Sequence, residues 1–342
     1  MLILFEAVLI FIFTFLLVPL NIRVSHLLGI VAKPSERRIH KGLIPEAGGL
    51  SFALPIFLAQ ASFYLFGSDP ETGEMLLKLS WMGIITLVFG LWDDRFETPA
   101  ILKLVWQIII AGLMFFIGYR VTHLTNPLGT DFSLGWMSFP FTLLWFLVVF
   151  NAINLIDGMD GLACGITIIV SAVLLIVGFR QQNNLVMAIA AFLMAGNLAF
   201  LRYNFYPARI FLGETGALFI ALNIAAISTA GSSQFKGITS MTLMIPLAVL
   251  AIPVLDVALA FFRRIKLGHI FTADKAHIHH TMLAFGFSQR TISLIVYIVT
   301  LLFGLIAIGF SLSSKKLLFS VLLGLLALMV VIAYLIMRRE KK

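Results

Sequence analysis

The feature that most constrains this chain is the number of its apolar runs long enough to cross a bilayer. A hydrocarbon core of about 30 Å needs about 20 apolar residues in helix. That ruler finds eleven stretches, near 2 to 20, 48 to 66, 75 to 92, 100 to 119, 139 to 156, 161 to 179, 185 to 201, 212 to 230, 239 to 262, 291 to 311 and 317 to 337. The composition agrees: 61% of the 342 residues are apolar and 12% are charged, against about 25% charged in a soluble domain. With a mean hydropathy of +1.05, a soluble enzyme, a disordered chain and a secreted disulfide scaffold are excluded. The expected fold is an all-α polytopic membrane protein, a single integral membrane domain over 1–342. One cysteine, Cys164, allows no intrachain disulfide and no zinc module built on paired cysteines. Glu6 stands where a signal peptide carries Lys or Arg, so an uncleaved first helix is expected.

The net charge of +8 reads as orientation before it reads as affinity for nucleic acid, because Lys and Arg accumulate in cytoplasmic loops. With eleven spans and the amino terminus outside, 18 Lys and Arg fall on inside segments and 6 on outside ones. The expectation is amino terminus out, carboxyl terminus cytoplasmic, and no nucleic-acid partner. Most inside charges lie at 23–41, 263–290 and 338–342; the last run is a helix anchor at anionic headgroups. Two inside loops, near 21–47 and 263–290, are long enough to carry substrate contacts. No internal repeat is evident.

Acidic residues are costly near hydrocarbon, so their placement is informative. Asp93 and Asp94 end the third span, Asp157 and Asp160 follow the fifth, and Glu214 opens the eighth; on this topology all five meet the inner face. Only 14 residues separate Lys78 from Asp93, which recesses the Asp pair below the surface if the helix begins near Lys78. Adjacent, partly buried acids call for a cation, and oxygen-only ligands favour magnesium, or manganese, over zinc. The segment Asn151-Ala-Ile-Asn154-Leu-Ile-Asp157-Gly-Met-Asp160-Gly spaces polar side chains by three. On one continuous helix they would drift apart, so a break at Gly158 and Gly161 is expected to turn them toward one site. Phe211-Leu-Gly213-Glu214-Thr-Gly216 reads as a glycine-bracketed turn whose helix amides attract an anion. Glu214 is either a simple first-turn acid or a metal ligand.

His269, His277, His279 and His280 lie beside Arg263, Arg264, Lys266 and Lys275. Clustered histidines allow zinc, but such positive charge without cysteine suits phosphate oxygens better. Lys103, ten residues after Asp93, adds a cation at membrane depth. Carboxylates for a divalent ion, cations for phosphate and an apolar wall together describe phosphoryl chemistry on a lipid.

At these residues the chain resembles the polyprenyl-phosphate N-acetylhexosamine 1-phosphate transferases, particularly those of the WecA and TagO type. The match runs from about 33 to 280: Arg37-Arg38-Ile-His40 through Pro45 and Gly48-Gly49, Asp93-Asp94-Arg95, Lys103, the 151–161 segment, Asn204 with Pro207-Ala208, 211–216, and His277-Ile-His279-His280. The resemblance implies transfer of N-acetylglucosamine 1-phosphate from UDP-GlcNAc to undecaprenyl phosphate, with release of UMP and with Mg2+ at the cytoplasmic face. That is the first membrane step of envelope polysaccharide or teichoic acid synthesis.

It further implies Asn154, Asp157 and Glu214 at the metal, with Asp93, Asp94 and Lys103 as the catalytic set. Lys41, Asp160, Asn204 and Phe211 are implied for uridine, and Arg264, His277, His279 and His280 for pyrophosphate or sugar. Asn151 joins the substrate-binding set, and Asp256 resembles a family Asp without an assigned role. Glu214-Thr-Gly216-Ala217 departs from the family's usual Asp-x-Gly-Ser.

A phosphate monoester is already largely dianionic at neutral pH, so direct in-line attack by the lipid phosphate is expected, with Asp93 and Asp94 orienting it or taking a residual proton. A phospho-N-acetylmuramoyl-pentapeptide transferase is the rival within the family. An ion-coupled transporter is the rival of another class. A homodimer is allowed but not specified by the sequence.

Overall fold

The computed structural model describes residues 1–32, 43–124, 132–234 and 286–311, with isolated positions 282, 320, 324 and 327. Nine α-helices run through the described residues: α1 (Leu2–Leu28), α2 (Leu50–Phe66), α3 (Pro70–Phe96), α4 (Ala100–Phe116), α5 (Ser138–Ile156), α6 (Leu162–Gln181), α7 (Asn184–Asn204), α8 (Gly213–Gln234) and α9 (Gln289–Ser311). Seven are long and apolar enough to cross a membrane, while α2 and α4 are shorter apolar helices. This is an all-α polytopic membrane protein. The stretches expected at 239–262 and 317–337 fall outside the described residues, apart from isolated positions in the second.

Burial is graded as lipid solvation requires. Leu4, Phe11, Leu16 and Leu20 on α1, and Ile101, Leu102, Val105 and Ile109 on α4, are exposed apolar side chains, which only a hydrocarbon environment tolerates in such number. Helix α8 lies at the centre and packs on α3, α5 and α7. Buried polar side chains along its middle bond within the helix: Asn223 Nδ2 donates to Phe219 O at 2.8 Å and Ser228 Oγ to Ile224 O at 2.6 Å. Small residues set the spacing at its amino-terminal end. A Cβ on Gly90 of α3 would lie 2.5 Å from Thr215 Cα, and one on Gly49 would lie 2.3 Å from Gly216 Cα.

Helix α3 corrects the sequence expectation. It begins at Pro70, capped by Asp69, whose Oδ1 accepts the Thr72 amide at 3.2 Å, and its 27 residues span about 40 Å. Lys78 therefore lies inside the helix, paired with Glu74 at 2.6 Å. The Asp pair is not recessed for want of helix length; neighbouring elements bury it.

A short ribbon follows α1. β1 (Val31–Ala32) pairs antiparallel with β2 (Ile44–Pro45), and the chain beyond β2 docks on the approach to α8. Phe211 N donates to Pro45 O at 2.8 Å, Gly48 N to Phe211 O at 3.0 Å, and Gly49 N to Leu212 O at 3.1 Å. A buried network ties this turn to α1, with Asn21 Nδ2 donating to Ala47 O at 3.0 Å and Ser25 Oγ to Glu46 O at 3.1 Å. A second ribbon, β3 (His123–Leu124) with β4 (Phe132–Ser133), precedes a short 3-10 helix at Gly135–Met137.

Candidate active site

The turn between α3 and α4 builds the first half of the site. Helix α3 ends in a left-handed residue, Glu97, whose amide bonds back to Asp93 O at 2.9 Å. Asp93 Oδ1 then accepts the Thr98 amide at 2.8 Å and the Thr98 hydroxyl at 2.5 Å. Pro99 starts α4, and Lys103, in its first turn, folds back so that Nζ lies 2.6 Å from Asp93 Oδ2. The same ammonium lies 2.8 Å from Glu214 Oε1 on α8. From α5, Asn154 Nδ2 donates to Glu214 Oε2 at 2.5 Å. The consecutive helices α3 and α4 thus meet the distant α5 and α8 at Lys103 and Glu214, with Asp93 only 2% exposed.

Asp94 has a separate task. Its Oδ1 accepts the Glu214 amide at 2.7 Å, its Oδ2 accepts the Thr215 amide at 3.1 Å, and the Thr215 hydroxyl also donates to Oδ2. The anion drawn to the α8 amino terminus is the chain's own carboxylate, and it locks α3 to α8 through the free amides of the first turn. Gly213, at φ 71, leaves room for this contact: a Cβ there would lie 2.7 Å from Asp94 Oδ2.

The expected break after α5 is present. The helix ends at Ile156, Asp157 is its C-cap, and α6 starts after Gly161, which has φ 74. The turn is held from the α7 side: Asn204 Oδ1 accepts the Gly161 amide at 3.1 Å, Asn204 Nδ2 donates to Ile210 O at 2.9 Å, and Asp160 Oδ2 accepts the Ala208 amide at 2.9 Å. The Asp157 carboxylate has no hydrogen-bond or ion-pair partner among the described residues, while its amide donates to Ile153 O at 3.2 Å. Burial, and then the charges of Glu214, Asp94, Glu46 and Asp160, push its carboxyl well above the usual range.

Of the residues read from the sequence, Asp93, Lys103, Asn154 and Glu214 are brought into contact, with Asp94 on the backbone beside them and Asp157 within their electrostatic reach. Asn151 points elsewhere: Nδ2 donates to Gln107 Oε1 at 3.1 Å and to Leu147 O at 2.8 Å, joining α4 to α5. Phe211 contributes main-chain bonds to the 45–48 turn. Lys41, Arg264, His277, His279, His280 and Asp256 lie outside the described residues. Thr98, Thr215 and Gln107 were not singled out in the sequence. Thr98-Pro99 carries a helix-start signature that could have marked the first.

Among the described residues, no three His, Cys, Asp or Glu side chains are grouped closely enough to hold a metal on their own. The donor chemistry nevertheless fits a hard divalent ion at Asp157: a half-buried carboxylate, with other carboxylates near it and without a cationic partner among those residues, is stabilised by such an ion. Both Glu214 oxygens are engaged, by Lys103 and Asn154, and each keeps a second lone pair suited to such an ion.

Residues 76–232, which include the whole Asp93-to-Glu214 constellation, match the family model described as glycosyl transferase family 4. The chain is 34% identical, over 86% of its own length and 80% of the relative's, to a probable undecaprenyl-phosphate N-acetylglucosaminyl 1-phosphate transferase of Bacillus subtilis. It is 33% identical to a decaprenyl-phosphate N-acetylglucosaminephosphotransferase of Mycobacterium tuberculosis, over 82% and 75% of the two chains. To an undecaprenyl-phosphate alpha-N-acetylglucosaminyl 1-phosphate transferase of Salmonella typhi it is 30% identical, over 83% and 77%. With the site inside the matched segment and this similarity running along most of the chain, the protein belongs to glycosyl transferase family 4, among the polyprenyl-phosphate N-acetylhexosamine 1-phosphate transferases.

Proposed function

We propose that this phosphoglycosyl transferase moves N-acetylglucosamine 1-phosphate from UDP-GlcNAc to undecaprenyl phosphate and releases UMP. The observation that carries the reading is the Lys103 ammonium held at 2.6 Å from Asp93 and 2.8 Å from Glu214, in a chain whose relatives are named for this transfer onto polyprenyl phosphates. The exposed apolar side chains of α4, beginning two residues before Lys103, offer a lipid-facing approach to that cation. We place the site at the cytoplasmic face of an eleven-span bundle with the amino terminus outside, on the strength of the 18 to 6 distribution of basic residues.

Two anions must meet for the reaction to occur, so charge neutralisation dominates the barrier. Lys103 is the described cation placed to bind a substrate phosphate. A divalent ion, with magnesium favoured by the oxygen donors, would be held by Asp157 with Asn154 and Glu214 and would neutralise pyrophosphate charge. A lipid phosphate oxygen bonds to the β-phosphorus of the UDP-sugar; the bond from that phosphorus to the bridging oxygen breaks, and its electron pair leaves on UMP. Asp93 is already held by Thr98 and Lys103, an arrangement suited to orienting Lys103 and the lipid phosphate, which supports one-step transfer. Incubating the purified protein with undecaprenyl phosphate and either UDP-GlcNAc or UDP-N-acetylmuramoyl-pentapeptide, and following UMP, tests this. Turnover of UDP-GlcNAc is expected; turnover of the pentapeptide donor alone would contradict it, and a sugar phosphate trapped on Asp93 would overturn the one-step route.

A further inference from the structure

We infer that Tyr297 is a positioning residue for this transfer, holding the 157–161 turn in the shape that presents Asp157 and Asp160. It sits on α9, outside the segment 76–232 that matches the family model. The inference rests on the transferase reading above.

The turn depends on Gly161, whose φ of 74 is costly for a residue with a side chain. That glycine is gripped on both sides. Asn204 Oδ1 from α7 accepts its amide at 3.1 Å, and the Tyr297 hydroxyl from α9 donates to its carbonyl at 2.6 Å. One turn along α6, Gly165 provides the seat for the ring: a Cβ there would lie 2.0 Å from Tyr297 Cζ. The hydroxyl is not needed for apolar packing of α9, which lies against α6 and buries Ile292, Val296 and Phe303. The hydroxyls of Ser293 and Thr300, buried on the same helix, have no hydrogen-bond partner among the described residues. Tyr297 is thus a polar link from α9 to the α6 side of the site, and it lands on the Gly161–Leu162 peptide, one residue beyond Asp160.

Removing the hydroxyl leaves the Gly161 carbonyl with only the Gly165 amide of its own helix, at 2.9 Å, and leaves the turn tethered from the α7 side alone, through Asn204 and Asp160. Asp160, which holds the Ala208 amide, and Asp157, four residues before Gly161, then lose their fixed relation to Glu214. Tyr297→Phe keeps the ring in its seat and removes only the hydroxyl.

The test compares wild type and Tyr297→Phe as full-length protein in detergent, by hydrogen exchange of peptides covering 157–165, by thermal unfolding, and by kcat and KM for UMP release from UDP-GlcNAc. Expected are faster exchange confined to the turn, an almost unchanged unfolding midpoint, and a fall in kcat of roughly ten-fold per folded enzyme, the size of one hydrogen bond. Unchanged kcat, or a loss that merely tracks the folded fraction with exchange rising across the bundle, overturns the positioning role. Should wild type release no UMP, the transferase reading fails and exchange alone decides the clamp: confined loosening supports it, and unchanged exchange overturns it.

Discussion

Lys103 balances two carboxylates from opposite ends of the site, so its removal leaves Asp93 and Glu214 facing each other without a counter-charge. Lys103→Ala is expected to lower transfer at least about 100-fold, measured as UMP release per folded enzyme; activity within a few-fold of wild type would show that the ammonium is incidental. The paired Asp93 and Asp94 were legible as a feature of the sequence, but their division of labour was not. Side chains adjacent on a helix point about 100° apart, and what each meets depends on α4 and α8. Asp94 accepts two α8 amides, whereas the Asp157 carboxylate sits near others with no partner among the described residues. Neutralising them should therefore change stability in opposite directions. Without divalent cation, Asp94→Asn is expected to lower the unfolding midpoint by several degrees and Asp157→Asn to raise it, each with loss of transfer; midpoints moving in the same direction would refute this division.

At the scale of elements, the amino terminus of α8 is positioned by absent side chains as much as by present ones. Gly90→Ala would put a methyl 2.5 Å from Thr215 Cα, and the resulting overpacking is expected to cost about 1–3 kcal/mol, read as a lower thermal midpoint with transfer reduced further by displacement of Glu214. Such close approaches are invisible in a single sequence, where a helical glycine looks only like a weak helix former. The start of α3 was misjudged for another reason: hydropathy marks the apolar stretch, whereas Asp69-Pro70 and Thr72 mark the true cap. Partial burial raises the Asp69 carboxyl, but hydrogen bonds from Asn184 and Thr72 outweigh it and leave the group below its ordinary value. Its native form therefore binds protons less readily than the unfolded form. Its stabilisation is full above the unfolded value of about 3.9 and is lost as pH falls through the lower folded value. Asp69→Ala is expected to cost about 1 kcal/mol near neutral pH, with the gap to wild type closing below about pH 4; a gap independent of pH would assign the effect to packing.

For the whole molecule, the all-α membrane class was legible in hydropathy and the gathering of polar helix ends in polar spacing, whereas Asn154 beside Glu214 was implied only by the family resemblance. Helix lengths and the separate roles of Asn151, Asp160 and Asn204 were not legible, because they follow from which helices become neighbours. Asn151 turns to Gln107, while Asp160 and Asn204 tie the 157–161 turn to the chain after α7. The fold gathers the ends of α3, α5 and α8 and the first turn of α4 around one cation, leaving an apolar surface on α4 beside it. Whether this gathering is a transferase centre or a structural knot is decided by divalent-dependent UMP release from UDP-GlcNAc with undecaprenyl phosphate, using wild type, Asp157→Asn and Glu214→Gln. UMP formation by wild type that requires added magnesium and falls at least about 100-fold in both variants is the predicted result; folded variants with wild-type rates would contradict it.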